Sequence, residues 1–165
     1  MIELNSKTQQ DFLNREWVQK LLDAGVDMSD AKYEILRKAD TKTEYINYTG
    51  KFLPNVEKYM NGIALIDVIP TYTVSELLYK LHEYIYPTIN GKEYAGGLTM
   101  MKDSPFYMFY YKLRHDNGYL PDDINEDYIY AEAEYPIESL ASLLIQCHKK
   151  DISMERYDTG NISDK

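Results

Sequence analysis

The segment from Pro70 to Lys150 constrains the fold more than any other part of the chain. Its apolar residues follow a helical period at both ends and a strand-like alternation, rich in tyrosine, in between. Two amphipathic helices that flank antiparallel strands can cover one face of a sheet, which is typical of the α+β class. The segment accounts for about half of the 165 residues, so it predicts the class of the whole molecule.

Two helices are predicted in this segment, at residues 73–86 and 136–150. Thr73 and Glu76 have the spacing of a capping box, and Pro87 follows the first helix. Pro136 suits the first turn of the second helix, where a missing N–H costs nothing. The apolar positions at steps of three and four are Val74, Leu77, Leu78, Leu81, Tyr84 and Ile85 in the first helix, and Ile137, Leu140, Ala141, Leu144, Ile145 and His148 in the second.

Three strands are predicted between these helices, at residues 98–102, 106–114 and 128–135. In the last of them, Ile129, Ala131 and Ala133 share one face, and Tyr128, Tyr130, Glu132 and Glu134 share the other. We therefore expect an α+β fold. Its antiparallel meander sheet has three or more strands, helices 73–86 and 136–150 lie on one face, and further helices come from the amino-terminal part.

The first 69 residues are less regular. They predict helices at 8–24 and 29–38, the first ended by Gly25 and the second capped by Asp27 or Ser29. Residues 40–62 form either an irregular connection or a small subdomain, with a short strand at 45–48, and residues 63–69 indicate a strand covered on both faces. We expect one domain over residues 1–157 and a disordered tail over 158–165.

The composition of the chain restricts its possible functions more than it restricts its possible folds. The formal net charge is −9, with 17 tyrosines and one cysteine. An acidic chain is repelled by phosphate backbones and anionic membranes, so we expect no direct binding to nucleic acid or to a membrane. One cysteine allows no internal disulfide, and residues 1–10 lack the features of a signal peptide. These features predict a cytoplasmic protein, in the host cell cytoplasm if a phage encodes it.

The sequence contains no motif typical of a catalytic site, a metal site or a phosphate-binding loop. Zinc would require His82, His115 and His148 to converge, and residues 115–127 lack the spacing of an EF-hand calcium loop. Cys147 lies about 100° round the helix from His148, so the two do not form a nucleophile and its base. We predict no metal and no cofactor; a non-enzymatic role is favoured, and enzymatic activity is left open.

Several polar side chains are candidates for contacts with a ligand or partner. Glu132 and Glu134 could serve as paired carboxylates of a hydrolase, but cross-strand ion pairs with Lys112 and Arg114 are favoured. His148 is expected to be hydrogen-bonded with its ring towards the sheet, or alternatively to line a pocket. The candidate binding residues are Lys102, Tyr110, Lys112, Arg114, Tyr128, Tyr130, Glu132, Glu134 and His148.

Two phrases carry a resemblance to a known group of proteins: residues 70–78 (PTYTVSELL) and residues 135–145 (YPIESLASLLI). They resemble small uncharacterised proteins from phages and prophages of gut bacteria, particularly Bacteroidota. In that group a Pro-Thr-Tyr-Thr…Glu-Leu-Leu helix precedes the strands and a Pro-x-Glu-Ala-x-Ala-x-Leu-Leu helix follows them. The resemblance covers about half of the chain, excludes the first 60 residues, and implies a phage context without an activity or residue roles.

Together these features favour a non-enzymatic phage or prophage accessory protein that binds a host or phage macromolecule, with anti-defence as one such role. The alternative is a protein that sequesters a nucleotide signal in a tyrosine-lined pocket, for which Lys102, Lys112 and Arg114 supply the cations. We expect a protein partner. Exposed tyrosines on a sheet, or an unpaired edge strand, would favour a homo-oligomer.

Overall fold

The computed structural model of the chain describes residues 1–54, 57–89, 91–115 and 128–152, with the backbone alone for His115 and Tyr128. The helices among them are α1 (Arg15–Asp23), α2 (Val74–Lys80) and α3 (Pro136–Lys149). The strands are β1 (Ile2–Glu3), β2 (Tyr33–Lys38), β3 (Glu44–Tyr48), β4 (Lys58–Met60), β5 (Ile63–Thr71), β6 (Tyr84–Ile85), β7 (Thr88–Ile89), β8 (Lys92–Asp103), β9 (Phe106–His115) and β10 (Tyr128–Ala133). Their pairings are antiparallel, which confirms the predicted α+β class. Residues 116–127, which were considered for calcium, and the predicted tail at residues 158–165 lie outside the described residues.

The first sheet has the strand order β1-β3-β2-β5-β4, with β2 at its centre. The helix predicted at residues 29–38 is therefore wrong, because its second half is β2, paired with β3 on one side and β5 on the other. The buried side chain of Ile35 is compatible with both the helical period and the strand period. The segment forms a strand because it pairs with two neighbouring strands. The predicted cap forms only a turn, in which Asp27 Oδ1 accepts the Ser29 N–H at 2.9 Å.

Two strands predicted in the amino-terminal part are confirmed. The strand expected at 45–48 is β3, and the strand expected at 63–69 is β5, which continues to Thr71. Full burial on both faces of β5 is found only at its end, where the neighbouring residues Pro70 and Thr71 are both buried. Within the predicted residues 63–69, Leu65 is buried and Asp67 is exposed. Residues 40–62 thus contain two strands of the first sheet, β3 and β4, rather than an irregular connection.

The first helix is shorter than predicted. It starts at Arg15, where the Asn14 side chain accepts the Trp17 N–H at 3.1 Å, and not near Thr8. Thr8 instead closes a turn, because its N–H donates to the Asn5 carbonyl at 3.0 Å. Gly25 follows the helix with φ +83°, a conformation that favours glycine, so the predicted stop is confirmed.

The helix predicted at residues 73–86 is correct at its start and wrong at its end. Both hydrogen bonds of the Thr73–Glu76 capping box are present. The helix nevertheless ends at Lys80, and Tyr84–Ile85 forms β6 against Gly97 and Gly96 of β8. Leu81 and Ile85 are both buried, so the four-residue apolar spacing that predicted a helix is satisfied by a turn and a strand.

The second sheet has the strand order β10-β9-β8-β6, and β7 also pairs with β8. The three predicted strands are confirmed, and the first of them is extended to twelve residues. The predicted last helix is confirmed as α3, which packs on β9 and β10 and contacts α1 and α2. Eight of its side chains are buried, so α3 is the central element of the core: Ile137, Ser139, Leu140, Ala141, Leu143, Leu144, Ile145 and Cys147.

The two sheets and three helices contribute to one hydrophobic cluster. From the second sheet it takes one face only, through Tyr111, Leu113, Ile129 and Ala131. The opposite face of that sheet therefore presents its side chains away from the core.

Candidate protein-interaction surface

The outward face of the second sheet gathers most of the candidate residues. Along β10, Ile129 and Ala131 are buried while Tyr130 and Glu132 are exposed, as the alternation predicts. Along β9, Tyr111 and Leu113 are buried, so the side chains of even-numbered residues point outward with Tyr130. We call this surface the tyrosine face and define it as Tyr84, Met108, Tyr110, Lys112, Arg114, Tyr130 and Glu132.

The strand register fixes the order of side chains on the tyrosine face. Tyr130 lies opposite Tyr110, and Glu132 lies opposite Met108. Lys112 lies opposite Tyr128, so the register gives neither Lys112 nor Arg114 a glutamate as its direct cross-strand partner. The predicted cross-strand ion pairs are therefore wrong, because the cations and the carboxylates occupy different ends of the face. Glu134 is exposed and follows the last residue of β10.

Tyr84 is part of this surface although the sequence pattern assigned it to a helix. As the first residue of β6 it pairs with Gly97, and its ring lies over that glycine, 3.4 Å from the position of a Cβ. A Cβ at residue 97 would be in van der Waals contact with this ring, so Tyr84 packs directly on the backbone of β8. The side chain of Tyr84 is 58% exposed. The Gly96-Gly97 pair beside a strand was the signal that marks such a close approach.

A second exposed surface adjoins the tyrosine face. Every side chain from residue 99 to residue 106 is exposed, so the end of the β8–β9 hairpin is open on both faces. Met100 points to the same side as buried Phe109, whereas Met101 points to the side of the tyrosine face. Their exposed fractions are 55% and 46%, and that of Phe106 is 43%. We call residues 99–106 the hairpin arm.

Two candidate residues lie away from the tyrosine face. Lys102 belongs to the hairpin arm and points to the opposite side of the sheet, where its ammonium is 5.2 Å from the centre of the Tyr107 ring. His148 is exposed, and its ring rests on Gly25 at the end of α1. The expectation that this ring points at the sheet is therefore wrong. His148 and His82 both line a cavity of about 280 Å³, whose lining includes no residue of the tyrosine face.

A cleft of about 420 Å³ beside α2 contains polar groups that already bind one another. The Tyr72 hydroxyl donates to Asp30 at 2.6 Å, and the Lys80 ammonium donates to the same carboxylate at 2.9 Å. Burial first, and then the hydrogen bond to Asp30, raises the pKa of Tyr72 well above its usual range. Glu76 accepts the Lys32 N–H in addition to its capping bonds. The network ties α2 to the turn before β2, which is a structural role.

Neither a metal centre nor a membrane span is found in the part of the chain that the structure describes. There, no three side chains of histidine, cysteine, aspartate or glutamate are grouped to hold a metal ion. Among the same residues, no helix has both the length and the apolar character needed to cross a membrane.

Comparison with known proteins adds no relative. No family model, curated protein or solved structure matches this chain. Its function is therefore inferred from its own side chains and their geometry.

Proposed function

We propose that this chain is a non-enzymatic accessory protein that binds another protein, and that the hairpin arm makes the contact. The supporting observation is the exposure of Met100, Met101 and Phe106 on a hairpin end that is open on both faces. Methionine and aromatic residues are enriched in the centres of protein interfaces, and the flexible methionine side chain adapts to irregular surfaces. The phage resemblance of residues 70–78 and 135–145 supports a phage or prophage setting, in which the partner is a host or phage protein and anti-defence is one role.

The arm is suited to insertion into a groove of the partner. Both of its faces carry apolar side chains, so a groove that receives it would bury Met100 on one wall and Met101 on the other. Association would then remove apolar area from water without any rearrangement of the core. Since a few central side chains supply most of the affinity of an interface, two methionine substitutions should be enough to weaken binding.

Affinity capture from host lysate tests this proposal. The tagged native chain is compared with a double variant, Met100→Ser and Met101→Ser, and with a control, Leu53→Ser and Tyr59→Ser. The control residues are 54% and 62% exposed and lie outside the arm. We expect one reproducible protein partner, retained by the control and weakened about tenfold or more by the arm variant. Equal capture by both variants, or no reproducible partner, would contradict the proposal.

A nucleotide ligand is the second candidate, and one feature of the tyrosine face favours it. Lys112 and Arg114 lie on the same face as Tyr110, so cations for a phosphate and a ring for base stacking are close together. A thermal-shift screen with mono- and dinucleotides tests this candidate, since a ligand that binds the native state raises Tm. The absence of a shift at millimolar nucleotide removes it.

A further inference from the structure

One edge of β8 is covered over only part of its length. Strands β7 and β6 pair with β8 as far as Gly97, and the Leu98 N–H donates to the Glu83 carbonyl at 2.8 Å. Beyond Leu98, β8 continues to Asp103 and, among the described residues, pairs only with β9 on its other side. The hairpin arm therefore has an open strand edge.

The backbone groups on this open edge belong to the even-numbered residues of the arm. The Leu98 N–H points to the side of β6. Successive residues of an antiparallel strand direct their N–H and C=O alternately to its two sides, and the β8–β9 register runs without a bulge to Asp103. Met100 and Lys102 therefore direct their N–H and C=O to the open edge, where no residue that the structure describes bonds to them.

The opposite edge of the same sheet, on β10, is protected. The Ser139 hydroxyl donates to the Ala131 carbonyl between β9 and β10, so the carbonyl of the next residue, Tyr130, faces the outer edge. The Gln146 side chain of α3 donates to this Tyr130 carbonyl at 2.6 Å. A side chain that occupies an edge carbonyl hinders the addition of another strand. The open edge of the arm is the one that can accept a strand.

We propose that the hairpin arm binds its partner by strand addition, in which an extended segment of the partner protein pairs antiparallel with residues 99–103 of β8. This proposal deepens the proposed function and rests on it. Met100 and Lys102 each supply one donor and one acceptor to the added strand, as in other complexes where a peptide extends a sheet. An antiparallel segment continues the direction of β6 and matches the other pairs of this sheet.

The side chains along the edge specify the chemistry of the segment. Met100 and Met101 are exposed on opposite faces, so apolar residues across from them remove apolar area from water on both faces. Lys102 favours an acidic residue directly across and Asp103 a basic one, because opposite charges stabilise a cross-strand pair. In its own direction the segment therefore reads basic, acidic, apolar, apolar.

A second copy of this chain matches the edge less well. Residues that lie opposite each other in an antiparallel pair are both hydrogen-bonded or both not, so the even-numbered residues of one copy can only oppose even-numbered residues of the other. Lys102 of one copy therefore never lies directly opposite Asp103 of the other. The edge suits a segment of a different protein.

Selection of random octapeptides from a displayed library on the immobilised native chain tests the proposal. We expect enriched peptides to have the order basic, acidic, apolar, apolar. The most enriched peptide is then titrated against the native chain, Met100→Ala, Met100→Pro and a control, Glu132→Pro. Proline removes an N–H, which at both positions faces a sheet edge, where proline is tolerated. The control makes the same change on the β10 edge.

We expect Met100→Pro to bind the peptide about tenfold more weakly than Met100→Ala, because both lose the methionine side chain and only proline loses the hydrogen bond. Glu132→Pro should bind like the native chain. If a lowered Tm shows that Met100→Pro is misfolded, NMR amide exchange of the native chain replaces it. The bound peptide should then slow exchange of the Met100 and Lys102 amides.

Strand addition is overturned if no peptide is enriched, if a folded Met100→Pro binds as well as Met100→Ala, or if the peptide leaves both amides unprotected. A native dimer that Met100→Pro dissociates would assign the edge to a second copy and would also overturn it. The lysate capture with the serine variants tests the proposed function separately. A protein partner that depends on Met100 and Met101 but not on the edge N–H refutes strand addition alone.

Discussion

The hydroxyl of Ser139 links α3 to the strand pair beneath it, and its removal gives a quantitative test of the core. Ser139 is fully buried; its Oγ accepts the Phe109 N–H at 3.3 Å and donates to the Ala131 carbonyl at 2.7 Å. Phe109 and Ala131 are opposite each other in the register of β9 and β10. The hydroxyl therefore bridges two backbone groups of neighbouring strands, and Ser139→Ala leaves both without this partner.

The expected loss follows from these two hydrogen bonds. Each contributes about 0.5–1.5 kcal/mol net, so together they amount to about 1–3 kcal/mol. Alanine favours the helix by about 0.5 kcal/mol relative to serine, which reduces the predicted loss to about 0.5–2.5 kcal/mol. For a chain of this size, this corresponds to a decrease in Tm of about 1–10 °C.

Urea unfolding followed by the fluorescence of Trp17, the single tryptophan, measures the change. The matched control is Ser142→Ala, one turn further along α3, where the serine is only half-buried and its hydroxyl makes no hydrogen bond within the described residues. We expect the control to be neutral or slightly stabilised. If Ser139→Ala lost no more stability than Ser142→Ala, the strands would not depend on the hydroxyl and the reasoning would be refuted.

Three further predictions concern other buried groups. Because burial and a hydrogen bond to Asp30 raise the pKa of Tyr72, this residue stabilises the fold fully below about pH 10, the pKa of tyrosine in the unfolded chain, and less as the pH rises above it. Tyr72→Phe should therefore cost about 1–3 kcal/mol of stability at pH 7 and flatten the decline in the free energy of unfolding above pH 10, measured by urea titrations. An unchanged slope would contradict this prediction. Lys58→Met should lower the free energy of unfolding by about 3–5 kcal/mol because it leaves the fully buried carboxylate of Glu34 without its cation. Adding Glu34→Gln should recover part of this loss, and a double variant no more stable than Lys58→Met would refute the role of the ion pair. Burial raises the pKa of Cys147 to about 12, so a thiol reagent at pH 8 should label the chain only after unfolding, and rapid labelling of the native chain would show that the thiol is accessible.

The second sheet and α3 could be predicted from the sequence because their signals are local. Alternation in β10 depends only on which neighbours are apolar, and Pro136 marks the start of α3 without reference to the rest of the chain. The same alternation places Tyr130 and Glu132 outward, as observed. The outward side chains of β9 and β10 were therefore predictable from the sequence. Which residues of the two strands lie opposite each other was not, because the register depends on the partner strand.

The remaining features depend on contacts between distant segments. The apolar spacing in β2 also fits a helix, and only its pairing with β3 and β5 distinguishes the two. Tyr84 reaches the tyrosine face because α2 ends at Lys80 and β6 then pairs with β8. The hairpin arm is exposed because β8 and β9 extend past the residues that α3 covers, and the relative lengths of these elements are set by the whole fold.

We propose that this chain acts by binding a protein through the hairpin arm. Hydrogen–deuterium exchange of the chain, measured free and saturated with the captured partner, tests it most directly. We expect exchange in residues 99–106 to slow on binding, while the segment around Asp30 and Lys80 exchanges at an unchanged rate. Protection that appears around Asp30 and Lys80 and spares residues 99–106 would contradict the account.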